Sequence, residues 1–461
     1  MRVRWKIFAV LTSLYATTLW AAQNAAPPAK SPVTKARQAA AEGKIVYQFT
    51  TPEELKALLG RPQSEEKKKA EGAETLVLHY PDLTARFGWT ADPNAPFRLG
   101  ELEAKPNWLY FMLGLDNAID IGRDRQRVLR SMADFAQFNS LWGCAGVSLA
   151  RLDLRVQKAT LEKLPFDSLT LWPPRDKLPD GFDPLRRLEE GKCPGLGIRG
   201  LHAQGIDGHG VGIAIIDQPL LKEHEEYAKQ LVHYEAIDVN GIDVQMHSAP
   251  VCSIAVGTKC GVAPKAALYF YAVPCWDWTD NKPWAEQIDK IIELNRTLTD
   301  RPKIRVVSIS SGMFSQWPNF DLWKAAVNKA AQNGILVVTC GNTFLRMAPL
   351  RRDPNGDPDN PACYGPGRYP HPDALGVPAG NRTTASHQGP DAYTYWVEGA
   401  MSWAVPYMAG LAALAFQVDP AIPPAQLMEL WTATATQTAS GPIVNPPQFI
   451  EAVRSRVRKA P

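Results

Sequence analysis

The chain has 461 residues, 45% of them hydrophobic and 21% charged, with a formal net charge of +3. That length and composition suit a globular protein of two to three domains, or one large α/β domain with an extension. The near-balance of charge excludes the one-sided basic surface of a nucleic-acid binder.

The first 25 residues read as a signal peptide. Arg2, Arg4 and Lys6 open it, and IFAVLTSLYATTLWAA supplies the short apolar stretch. Cleavage is expected among Ala21, Ala22 and Ala25. Thr12, Ser13, Thr17 and Thr18 interrupt the stretch, which argues against an uncleaved anchor, and no other run reaches the roughly eighteen apolar residues of a spanning helix. The mature chain is therefore expected to be exported (secreted, periplasmic or in the cell envelope), with no stable membrane span and almost no net charge. Its seven cysteines include no CxxC pair, which argues against zinc ribbons and thioredoxin-like chemistry. An oxidising compartment implies about two or three disulfides. Cys340–Cys363 and Cys144–Cys193 are the expected pairs, with one thiol of Cys252, Cys260 and Cys275 left over.

Residues 26–44, rich in Ala, Pro and Lys, read as a flexible leader. Residues 45–175 are expected to form an α+β accessory or pro-region. TPEELKALLG is a capped helix, the charged run SEEKKKAEG a solvated loop, and ETLVLHYPDL and VSLARLDLRV alternate like strands around a helix at MADFAQFNSLWG. LARLDLR and LEKLPFDSLT resemble one leucine-rich repeat, but a solenoid needs several stacked units. The Pro-rich residues 176–195 read as a linker to a further domain at 196–450. There GIAIID, ALYFYAV, IRVVSIS and GILVVTC are short, nearly continuous apolar runs. They alternate with helical segments at HSAPVCSIAV, WAEQIDKIIELN and FDLWKAAVNKAAQ. Strands apolar on both faces, alternating with helices, imply a doubly wound, mostly parallel sheet covered on both sides. Sites in such sheets lie at the carboxyl ends of the strands.

Four residues stand at those ends. Asp217 closes GIAIID, where a carboxylate needs a cationic or hydrogen-bonding partner, though alone it would equally cap a turn. His247 opens an apolar helix, Asn342 follows GILVVTCG in a pair common in turns, and Ser402 precedes a long apolar helix carrying Pro406. A serine there is an ordinary N-cap. A helix amino end also favours developing negative charge, which suits an acyl-transfer nucleophile.

Together these segments resemble the subtilisin-like serine proteases, peptidase family S8. IAIIDQPLLKEH is similar to the family's aspartate motif and includes a second histidine, His224. MHSAPVCSIAVG resembles the histidine motif, VVSISSGM the strand flanking substrate, ILVVTCGN the oxyanion segment and GAMSWAVPYMAGLAAL the serine motif. GVAPKAALYFYAV and RYPHPDALGVPAG resemble the segments between. The resemblance spans roughly 196–440, with its motifs in the family's order. It implies a subtilisin-like fold and a serine endopeptidase acting on protein or peptide substrates. Asp217, His247 and Ser402 would be its triad, Asn342 its oxyanion donor, and Ser310, Ser311 and Gly312 would line the substrate. No cofactor is implied, and no pattern indicates a calcium site. Ser248 stands where the family usually has Gly, Gln218-Pro219 replace a small residue and Gly, and Ala400-Met401 replace Gly-Thr. None of these removes a chemical group from the triad.

Other readings fit less well. GLGIRG at 195–200 satisfies GxGxxG but follows LRRLEEGKCP rather than a strand. His224-Glu225 lacks the second histidine of HExxH, since the fifth position is Ala228. An α/β-hydrolase would run Ser, Asp, His along the chain. The remaining alternative is a catalytically inactive, peptide-binding relative, which intact Asp217, His247, Asn342 and Ser402 disfavour.

Overall fold

A computed structural model describes residues 32–41, 44–45, 50–70, 73–88, 97–104, 127–129, 132, 135, 143–239, 242, 244–275, 278–341, 345–367 and 373–459. The chain divides into two compact units, Met1–Arg127 and Val128–Pro461.

In the first unit, helices α1 (Pro32–Ala41) and α2 (Pro52–Leu59) precede an antiparallel meander. Its strands are β1 (Ser64–Ala70), β2 (Ala73–His79), β3 (Leu83–Gly88) and β4 (Arg98–Ala104), paired in chain order. Thr51 and Glu54 form a reciprocal capping box at the start of α2, as TPEELKALLG predicts. Leu55 and Leu59 of α2 meet Leu76, Leu78, Leu83, Phe87 and Leu99 in one small core. The charged run is not a loop. SEEKKKA forms edge strand β1, whose backbone bonds to β2 while Ser64 to Lys68 stay exposed. Charge on an edge strand keeps the free side solvated and discourages pairing with another chain. The helix expected at MADFAQFNSLWG lies largely outside the described residues.

The second unit begins earlier than the Pro-rich stretch suggests. Strand β5 (Phe166–Asp167) joins a three-stranded antiparallel sheet with two later strands, and Phe166 stacks on Tyr395 at 5.0 Å. Residues 176–195 are integrated rather than linking. Thr383 Oγ1 donates to Leu188 O at 2.6 Å, and Arg187 is buried over the Phe182 ring. Proline there shapes a packed surface, so 128–195 belong with the residues that follow.

The main sheet is wholly parallel. It contains β6 (Gly212–Asp217), β7 (Leu231–Ala236), β8 (Ala267–Ala272), β9 (Ile304–Ile309) and β10 (Leu336–Thr339), in the order β10-β9-β6-β8-β7. Side chains alternate across it, so β6 feeds two cores. Ile213 and Ile215 pack with helices α3 (Ser248–Val256) and α6 (Ala400–Val418). Ala214 and Ile216 pack with α4 (Asn281–Thr297) and α5 (Phe320–Gln332). This is the doubly wound arrangement expected. A second sheet contains β11 (Met347–Arg352), β12 (Tyr364–Pro366), β13 (Leu375–Gly380), β16 (Thr436–Thr438) and β17 (Gly441–Ile443), ordered β12-β11-β13-β17-β16. Strands β14 (Arg382–Ala385) and β15 (Tyr393–Trp396) form the hairpin that β5 joins. Helix α6 is long and apolar enough to cross a membrane, but it is buried as the core helix of this unit.

All seven cysteines are free thiols, contrary to the expected disulfides. The expectation rested on compartment chemistry. Instead Cys252 and Cys260 sit buried in the core, and Cys340 lies beside Ser402.

Candidate active site

The strand order places β6 at the switch point. The chain crosses from β8, on one side of β6, through α4 to β9 on the other. A crevice opens at the carboxyl end of such a strand, and Asp217 is the last residue of β6. It is 3% exposed. His247, the residue before α3, directs Nδ1 to both Asp217 carboxylate oxygens at 2.9 Å. The bond assigns the proton to Nδ1 and leaves Nε2 as the acceptor. Burial pulls the His247 pKa down, but the charge and hydrogen bond of Asp217 outweigh it, and the net shift is upward. The Asp217 carboxylate also accepts from Gln218 N at 2.8 Å and from Ser248 Oγ at 3.0 Å.

Ser402 lies in the first turn of α6. Pro406, four residues on, has no N–H, so the Ser402 carbonyl lacks its usual helical donor. Ser310, just past β9, supplies a replacement, with Oγ donating to Ser402 O at 2.9 Å. Gly399 lets the chain turn tightly into α6. A Cβ there would lie 2.3 Å from both Ala379 O and Trp403 Cδ1. Ala400 adopts φ +47°, a left-handed conformation costly for any residue with a Cβ.

Trp403, which the sequence did not single out, and Cys340, which it expected in a disulfide, adjoin these residues. The Trp403 ring packs on the His247 ring at 5.4 Å, backed by Trp396 edge-on at 5.7 Å. Around the Cys340 thiol, burial raises the pKa most, the Asp217 charge adds to the rise and the nearby Ser402 side chain opposes it. The thiol is pushed up to about 12. Among the described contacts, none is a hydrogen bond from Ser402 Oγ to His247 Nε2; such bonds often tighten only when substrate is bound.

The expected substrate residues follow β9. Ser310 Oγ is committed to the Ser402 carbonyl, and Ser311 O accepts from Cys340 N at 3.0 Å, extending the β9–β10 pairing. A Cβ on Gly312 would lie 2.7 Å from the tip of the Phe314 ring, which would have to swing aside. Phe314, 45% exposed, and Trp317 form an edge-on pair at 4.9 Å. Buried Asn281 holds that loop, donating to the carbonyls of Phe314, Trp317 and Pro318. Trp278 packs edge-on against core Trp284 at 4.9 Å. Asn342 lies outside the described residues. His224 is structural, with Nε2 bonded to Ala392 O at 2.8 Å. Among the described residues, no group of three or more His, Cys, Asp or Glu side chains converges to hold a metal ion.

The sequence model described as the subtilase family, Peptidase S8, matches residues 208–448. Subtilisin-like protease PopC of Myxococcus xanthus (strain DK1622) is 36% identical over 89 residues, which is 17% of this chain and 19% of PopC. The chain thus matches well under two thirds of that relative's length. Similar solved structures include the prenylagaramide maturation protease PagA, at TM-score 0.43 and 14% identity over 56% of this chain and 98% of that one. A structure of the subtilase cytotoxin SubAB assembly matches at TM-score 0.45 and 15% identity, over 58% of this chain and 97% of that one.

Proposed function

The chain belongs to the subtilase family, whose model covers just over half of it, and on that premise we propose that it is an exported serine endopeptidase using Asp217, His247 and Ser402. The observation that carries this reading is the buried Asp217–His247 bond at the end of β6. Ser402 lies in the first turn of α6, and the next residue, Trp403, packs on the His247 ring.

Each residue has a chemical task. Ser402 is a weak nucleophile until His247 Nε2 takes its proton during attack on the scissile carbonyl. The same nitrogen returns that proton to the leaving amine, so the peptide bond breaks and an acyl-enzyme forms, which water then hydrolyses. Asp217 fixes the tautomer and stabilises the imidazolium. Asn342, by resemblance to the family, would donate to the oxyanion, and losing such a donor costs on the order of 100- to 1000-fold in rate. Substrates would be proteins or peptides entering along the residues after β9.

The test is hydrolysis of an unstructured protein by the purified chain. Ser402→Ala and His247→Ala should each abolish it while circular dichroism stays unchanged. The double variant should lose little more than either single one, because the groups act as a unit. Folded wild type without activity would favour a peptide-binding relative instead.

A further inference from the structure

We propose that Ser248 is a positioning residue for the catalytic pair, its buried hydroxyl donating to Asp217 and tying the start of α3 to the end of β6. This rests on the catalytic reading above. Ser248 is fully buried, and its Oγ lies 3.0 Å from Asp217 Oδ1 and 2.6 Å from Gln218 O. A hydroxyl has one proton, so the two acceptors share it. Both belong to consecutive residues at the end of one strand. The residue immediately before Ser248 is His247. The hydroxyl therefore links the backbone segment that carries the imidazole to the segment that carries the carboxylate.

The carboxylate is held asymmetrically. Oδ1 accepts from Gln218 N at 2.8 Å and from Ser248 Oγ, as well as from His247 Nδ1. Oδ2 has only His247 Nδ1 among the described contacts. The two extra donors on Oδ1 resist rotation of the carboxylate and keep it facing the imidazole. The glycine that the family usually carries at this position has no hydroxyl with which to do so.

The bond also has an electrostatic consequence. A donor to a carboxylate draws charge away from the imidazolium that the carboxylate stabilises. Removing the donor should strengthen the hold of Asp217 on protonated His247. Among the described residues, the other titratable groups facing Asp217 are the thiols of Cys252, from α3, and Cys340, after β10. Burial raises both, Cys340 to about 12, so they stay neutral while His247 titrates.

The deciding measurement is the titration of the His247 ring by NMR in the full chain carrying Ser402→Ala, which prevents self-cleavage. Adding Ser248→Ala should move the His247 midpoint upward by about half a unit or more. Ser248→Thr, which keeps the hydroxyl, should restore the original midpoint. With Ser402 present, Ser248→Ala should also lower kcat about tenfold with KM little changed. If Ser248→Ala fails to fold, Ser248→Gly takes its place. An unchanged midpoint in a folded variant overturns the proposal, because a merely structural hydroxyl would leave it in place. Failure of the wild type to hydrolyse anything would remove the catalytic reading, yet the two midpoints would still decide the role of Ser248.

Discussion

Ser310→Ala is expected to disturb the nucleophile through its backbone. Pro406 deprives the Ser402 carbonyl of its helical donor, and Ser310 Oγ replaces that donor at 2.9 Å. An acceptor left without a partner costs about 1–3 kcal/mol when fully buried. Ser402 is half-buried, so the loss should fall at the lower end, about 1–2 kcal/mol. A shift of the first turn of α6 should also lower kcat/KM by about tenfold, since small displacements of a reacting group are expensive. Pro406→Ala provides the control, because it restores an N–H four residues beyond Ser402. In that background Ser310→Ala should cost less, giving a coupling energy of about 1 kcal/mol. Urea unfolding followed by circular dichroism measures all four corners of the cycle. Carrying Ser402→Ala throughout removes self-cleavage and keeps the carbonyl. Strictly additive losses would refute the compensation between Ser310 and Pro406.

Three further outcomes are expected. Ala400→Gly should raise stability by about 0.5–1 kcal/mol, the left-handed strain relieved less the added chain entropy of glycine; a lower thermal midpoint would contradict the strain at φ +47°. Because the His247 pKa is raised above 6.5, the acid limb of kcat/KM should have its midpoint above 6.5. Activity is lost as pH falls through that midpoint, since protonated His247 accepts no proton. A limb centred at or below 6.5 would count against the Asp217 pairing. Cys340, pushed up to about 12, should resist iodoacetamide at pH 8 in the folded protein, because the thiolate is the reactive form. Labelling as fast as in denaturant, read by peptide mass, would contradict that upward shift.

Much of the parallel sheet was legible because its strands are apolar on both faces. Ile213 and Ile215 serve one core, and Ala214 and Ile216 the other. The helix expected at FDLWKAAVNKAAQ is α5, residue for residue. Asp217 and His247, 30 positions apart, meet because β6 ends where α3 begins. What the sequence hid were contacts that depend on register. The role of Ser248 appears only when the first turn of α3 meets the end of β6. That of Ser310 appears only once the donor missing at Pro406 is set beside it. Composition misled where it reports exposure rather than pairing. SEEKKKA is charged yet makes a complete backbone ladder with β2. The Pro-rich stretch around Leu188 looks like a linker yet accepts a bond from Thr383.

The central claim, that Ser402 is a nucleophile activated by His247, is tested most directly with a fluorophosphonate probe on the folded chain followed by peptide mapping. A single covalent adduct on Ser402 is predicted, absent in Ser402→Ala and strongly slowed in His247→Ala. A folded wild-type chain that takes up no probe, or takes it up on another residue, would contradict the account.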